Sequence, residues 1–151
     1  MDTRPLLIFI GSLVGLTAPA VATAQCSPAP EAKTIWGGNM HPINREAKPV
    51  KSIHGTAQDQ LGAPLANVLV EVYDHPELMA TDPSAPPKGQ TRIAACMTNS
   101  TGTFSLNAPP GQYEIRVSKS DEWDVSSVLV AVRSSAKPSK KGIVVTMKLG
   151  T

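Results

Sequence analysis

Three blocks constrain this chain more than anything else in it: Gly62 to Asp74 (GAPLANVLVEVYD), Thr98 to Phe104 (TNSTGTF) and Pro109 to Val117 (PPGQYEIRV). Each couples turn-forming residues to a run in which apolar and polar side chains alternate. That is how a strand with one buried and one solvated face is written. In the first block Val68, Val70 and Val72 share a face, and Glu71 and Tyr73 fall on the other.

The same pattern predicts about seven strands, over 50–57, 66–73, 91–98, 103–107, 112–119, 125–133 and 142–149. Turn signals separate them, notably Asp59-Gln60-Leu61-Gly62, Asn99-Ser100-Thr101-Gly102 and Pro109-Pro110-Gly111. His75 to Gln90 holds four prolines and no period, and is expected to be a long irregular loop. No segment repeats apolar residues at helical spacing for three turns. Short strands between turns argue for an all-β sandwich rather than a parallel α/β sheet. The expected core is Val68, Val70, Val72, Phe104, Leu106, Tyr113, Ile115, Val117, Val128, Val130, Val132, Ile143, Val145 and Met147.

Residues 1–24 read as a signal peptide. Arg4 supplies the charge, Leu6 to Leu16 the apolar run, and Ala22-Thr23-Ala24 the small residues of a cleavage site. The run is shorter than the roughly 20 apolar residues of a membrane span, so no stable span is expected after cleavage. A lipid anchor on Cys26 is disfavoured, because the bulky Gln25 precedes it. Residues 25–49 are rich in Pro, Ala, Gly and Asn and read as an N-terminal arm or linker, with Ile35 and Trp36 as the residues that would lie down on the domain or meet a partner.

Cys26 and Cys96 remain as an even pair outside any Cys-x-x-Cys arrangement. In an oxidising compartment such a pair is more often a disulfide than a redox or metal site, with two buried free thiols as the alternative. A formal charge of +2, from 14 basic and 12 acidic residues, gives no electrostatic case for nucleic acid. Lys137, Lys140 and Lys141 form the one basic cluster, expected in a solvated hairpin loop.

Gly55 in a first strand, the step Gly62-x-Pro64-Leu65-x-Asn67-Val68, the step Thr98-Asn99-x-x-Gly102-x-Phe104, and Pro110-Gly111-x-Tyr113 before an apolar strand together resemble the carboxypeptidase regulatory-like domain. The resemblance covers residues 50–149. It implies a transthyretin-like, seven-stranded Greek-key β-sandwich, with Phe104 and Tyr113 between the sheets and Trp123 at an aromatic position after the fifth strand. Fold alone assigns no activity.

No catalytic constellation accompanies the scaffold. None of His41, His54 and His75 has the Glu three residues later that a His-x-x-Glu zinc pair needs. The closest approach, Asp74-His75-Pro76-Glu77, lacks a convergent further ligand. No cofactor is expected. Lys148-Leu149-Gly150-Thr151 differs from the Tyr-Arg-Gly-Ser that ends the transthyretin-related hydroxyisourate hydrolases, so a hydrolase is the less favoured reading. The serines lack a nucleophile-elbow motif. Asn99-Ser100-Thr101 matches a glycosylation sequon, which its place in a turn already explains. The expectation is an exported module, periplasmic or extracellular, with a structural or protein-interaction role and exposed edge strands as the docking route. The alternative is a carbohydrate-binding module. The residues singled out for ligand contact are Trp36, Tyr73, His75 and Trp123.

Overall fold

The computed structural model describes residues 26–29, 31, 39–78, 89–120 and 122–150. Trp36 lies outside them, as do the signal-peptide residues and residues 79–88 of the expected long loop. The strands are β1 (Ser27–Pro28), β2 (Met40–Pro42), β3 (Lys48–Val50), β4 (Ile53–Gln58), β5 (Leu69–Tyr73), β6 (Arg92–Met97), β7 (Thr103–Leu106), β8 (Gly111–Ser118), β9 (Val125–Val132) and β10 (Ile143–Thr146), with one 3-10 turn at Pro76–Leu78. They form two sheets. The larger runs β1-β6-β5-β8-β9-β2, with β3 also on β9, and the smaller runs β10-β4-β7. The protein is an all-β sandwich.

All seven expected strands are present, as β4 to β10. The difference lies in the stretch 25–49, which read as arm or linker but adds three short edge strands. β1 pairs antiparallel with β6, while β2 and β3 pair parallel with β9. Each added strand carries a proline, Pro28, Pro42 or Pro49. Proline lacks the N–H of a ladder and is tolerated at an edge, where one side of the strand needs no partner. Prolines therefore hid strands whose position they suit. Between β2 and β3 the Asn44 side chain stands in for a peptide group: its amide donates to Leu129 O at 2.8 Å and its oxygen accepts from Leu129 N at 2.8 Å.

The core lies where the sequence placed it. Val70 and Val72 of β5, Tyr113, Ile115 and Val117 of β8, and Val128, Val130 and Val132 of β9 face Phe104, Ile143, Val145 and Met147 from the other sheet, with Ile53 and Ala57 of β4 added. Leu106 is the exception. It is only partly buried and packs at the margin of the cluster. Burying each such aliphatic side chain stabilises the fold by roughly 1.5–3 kcal/mol. Gly55 sits on the inner face of β4, where a Cβ would collide with the Ile143 carbonyl and the Phe104 ring. Its missing side chain is what lets β10 and Phe104 close over β4.

The turns behave as their residues dictate. Asn99 Oδ1 accepts from the N–H groups of Thr101 and Thr103, each at 3.0 Å, and Gly102 takes φ +70°. Thr98 is buried with its hydroxyl donating to Leu65 O at 2.7 Å and accepting from Val68 N at 3.0 Å. The Tyr113 hydroxyl donates to Pro109 O at 2.9 Å, which ties the turn before β8 to its ring in the core.

Cys26 and Cys96 are disulfide-bonded, with Cα atoms 5.7 Å apart and a sequence separation of 70. The bond fixes β1 against β6, where Pro28 is paired with Cys96. In the chain-entropy treatment a loop of this length stabilises by roughly 4 kcal/mol, an upper figure. Replacing both cysteines by serine is expected to lower the unfolding free energy by about 2–4 kcal/mol. Urea titrations of the variant and of the reduced parent should agree.

Candidate functional site

The alternation that places Val70 and Val72 in the core sends Glu71 and Tyr73 to the other side of the large sheet. That side was expected to be wet. It is not: Glu71, Glu114, Arg116 and Ser127 are each at most 1% exposed. Strand register brings them together, with Glu71 opposite Arg116, Arg116 opposite Ser127, and Tyr73 opposite Glu114. Charged groups survive such burial only when paired and hydrogen-bonded.

Glu114 is the centre of this cluster. Its Oε2 accepts from Arg116 Nη2 at 2.9 Å and Gln90 Nε2 at 2.8 Å, and its Oε1 from Ser127 Oγ at 2.9 Å and Arg116 Nε at 3.3 Å. A carboxylate offers about four lone-pair sites, so Glu114 is saturated by the protein itself. Arg116 also donates to Gln90 Oε1 at 2.8 Å and stacks over the Tyr73 ring at 4.1 Å. Glu71 Oε1 takes hydrogen bonds from Arg92 Nη1 at 2.9 Å and the Tyr73 hydroxyl at 3.0 Å. Two acids and two arginines balance. Tyr73, singled out as a ligand contact, is occupied as a structural partner: one group bonds its hydroxyl and another covers its ring.

His75 stands beside this cluster but outside it. Asp74 and Thr91 are joined through Asp74 N to Thr91 O at 3.1 Å and Thr91 N to Asp74 Oδ1 at 2.6 Å. Gln90 Nε2 also donates to His75 O at 3.2 Å. His75 takes φ +47° and turns its exposed ring to Glu77, with Nδ1 and Oε1 2.9 Å apart. Its pKa is raised above the ordinary 6.5, first by the hydrogen bond to Glu77 and then by the charges of Asp74 and Glu77. Glu77 is lowered below its ordinary 4.5, first by its own backbone N–H and then by His75.

The remaining histidines have separate partners. His41 Nε2 meets Asp124 Oδ2 at 2.7 Å, and Asp124 Oδ1 accepts from Asn39 N at 2.9 Å. His54 Nε2 donates to Ser139 O at 3.0 Å, which leaves Nδ1 to accept from Ser52 Oγ at 3.1 Å. Among the described residues no three His, Cys, Asp or Glu side chains converge on one point.

Trp123 lies on the segment before β9 and is half-buried. That segment is held along the stretch 148–150, by a bridge between Trp123 and Leu149, by Asp124 N to Lys148 O at 2.9 Å, and by Gly150 N to Glu122 O at 2.8 Å. Trp123 thereby lines a cleft of about 270 Å³ with Asp59, Gln60, Leu61, Met147 and Leu149. Leu61 is 95% exposed and Leu149 58%. Asp59 is less available than its position implies, because Oδ1 accepts from the N–H groups of Leu61 and Ala63, each at 2.8 Å. Tyr73 and Trp123 are not brought together, since Tyr73 faces Glu114 early in β8 and Trp123 follows the strand's far end.

Fold and geometry thus define a disulfide-linked, two-sheet β-sandwich with a buried ionic cluster and an apolar end cleft. No family model matches the chain, and no curated protein matches it. Among solved structures it is similar to the 3-chlorocatechol 1,2-dioxygenase from Rhodococcus opacus 1CP, at 15% identity and a TM-score of 0.37, over 93% of this chain and 73% of that one. A likeness at that level carries no activity across.

Two outcomes follow for these residues. Arg116→Met strands a buried carboxylate and should cost about 3–5 kcal/mol in denaturant unfolding, part of which Arg116→Met with Glu114→Leu recovers. A raised His75 pKa means that charged His75 supports the turn below the ordinary value and loses that effect as pH rises through the raised one. The lowered Glu77 contributes above its ordinary value and is lost as pH falls through the lowered one. The pair therefore holds between those two limits. An NMR titration should place the His75 midpoint above 6.5, and Glu77→Gln should move it down.

Proposed function

We propose that this chain is an exported, non-catalytic binding module of the carboxypeptidase regulatory-like kind, which holds a protein partner at the Trp123 end of the sandwich. The observation that carries the reading is the apolar cleft itself. Two leucines stand in solvent beside a half-exposed tryptophan, on a segment fixed by backbone hydrogen bonds. Clustered exposed apolar surface of this kind marks interaction sites, and hot spots are anchors seated in small apolar pockets. A volume of about 270 Å³ is below the usual range for small-molecule sites, roughly 300–1,000 Å³. It suits one large apolar side chain of a partner. Asp59 Oδ1 is engaged in its own turn, which favours an apolar anchor over a sugar at this place.

Support for a non-catalytic role comes from the polar groups. Glu114 is saturated, and the three histidines serve three separate local contacts rather than one cluster. Support for export comes from the disulfide, which persists in oxidising compartments. No helix among the described residues is long and apolar enough to cross a membrane. The spacing of the Gly62, Thr98 and Pro110 blocks supports the family reading.

Site-specific photo-crosslinking in the producing cell tests the partner site. A photoreactive residue at position 61 or 149 should give one discrete adduct that Trp123→Ala abolishes, while position 133, exposed and remote from the cleft, gives none. Identical adducts from all three positions, or none from 61 and 149, would refute the reading. Leu61→Ser with Leu149→Ser should leave stability within about 0.5 kcal/mol of the parent.

A further inference from the structure

The outer face of the smaller sheet carries a second cleft of different chemistry. It measures about 460 Å³, and its lining includes His54, Thr56, Thr103, Ser105, Lys140 and Lys141. Its floor is made of two cross-strand pairs, His54 with Ser105 and Thr56 with Thr103, in which every member is polar. These are the positions of β4 and β7 that alternate with the core residues Ile53, Ala57 and Phe104. Among the described residues no carboxylate lines the cleft. Neither lysine forms an ion pair among the described residues.

The sequence placed Lys140 and Lys141 in a solvated loop, and both are exposed. The structure adds that this loop is fastened to the cleft floor. His54 Nε2 donates to Ser139 O at 3.0 Å, and Gly142 N donates to Ser139 Oγ at 3.2 Å. At the loop's start Arg133 N donates to Val50 O at 2.9 Å. The two ammonium groups are therefore carried by an anchored wall over a floor of hydroxyls.

We propose that this cleft binds an acidic oligosaccharide whose sugars bear carboxylates, a uronate chain. A row of threonine and serine hydroxyls both donates and accepts, which matches the hydroxyl groups of a sugar ring. The lysines supply the charge. Lysine is a compact point charge on a flexible stem, whereas arginine forks and backbone nests are the better-shaped holders of a compact phosphate. The open cleft on an exposed sheet face admits a chain rather than enclosing a single small ion. This site is separate from the Trp123 cleft and calls on none of its residues.

The probe is a mannuronate hexasaccharide, with neutral mannohexaose and inorganic polyphosphate as comparisons, titrated by calorimetry against the full chain at low and at physiological salt. The uronate chain should bind and weaken with salt, and mannohexaose should bind less. Lys140→Gln with Lys141→Gln should weaken the uronate chain about fivefold to tenfold, in keeping with two exposed ion pairs. Thr103→Val with Ser105→Ala should weaken it while leaving polyphosphate unchanged. The proposal fails if the uronate chain does not bind, if it binds no better than polyphosphate, or if the hydroxyl variant retains full affinity. Both variants alter exposed or half-exposed side chains, and equal thermal midpoints would confirm that folding is intact.

Discussion

Glu114 sets the terms for the rest of the molecule. A carboxylate in the middle of a sheet, sealed from water, has to find its hydrogen bonds within the protein or lose more than the sheet gains around it. Here it draws on its own strand through Arg116, on β9 through Ser127 and on the residues just before β6 through Gln90. Arg116 then reaches β5 by stacking on Tyr73, and Tyr73 shares Glu71 with Arg92 of β6. Four adjacent strands of the large sheet are cross-tied on the side away from the core. Apolar packing tolerates small slips, but a buried ion pair with fixed partners does not. A one-residue shift of β8 would send Arg116 into the valine layer.

How much of this was legible follows from what a period of two can report. Val68, Val70, Ile115, Val117 and Val130 announced the core because alternation says which side chains share a face. The same alternation put Glu71, Glu114 and Arg116 on the other face, and nothing in it says whether that face is covered. A signal was present all the same: Glu114-x-Arg116 sets opposite charges two apart on one side of a strand, inside an otherwise apolar block. The short edge strands were hidden for another reason. Their pairing is dictated by the open edges of β6, for β1, and of β9, for β2 and β3, which the short segments do not encode locally, and their prolines read as loop. The parity of the cysteines foretold their bond, while geometry alone could place it.

The candidate sites divide along the same line. Trp123 was visible as an aromatic residue at a turn, but its companions Leu61 and Leu149 come from the opposite ends of the domain's sequence, and only the fold assembles them. Tyr73 and His75 make contacts close by in sequence, to Glu71 and to Glu77. The lysine loop gains meaning from a hydrogen bond between His54 and Ser139, 85 residues apart.

Parallel pairing of β10 with β4, and of β2 and β3 with β9, joins the first and last parts of the chain. Gln58 bonds Thr146 across 88 residues, and Asn44 bonds Leu129 across 85. Contacts of such high sequence separation are slow to form, because loop-closure entropy is lost before they return anything. The larger sheet waits for β9 and the smaller one for β10, the last strand of the chain. A chain built this way keeps its smaller sheet open, and so stays threadable, until its final strand has arrived.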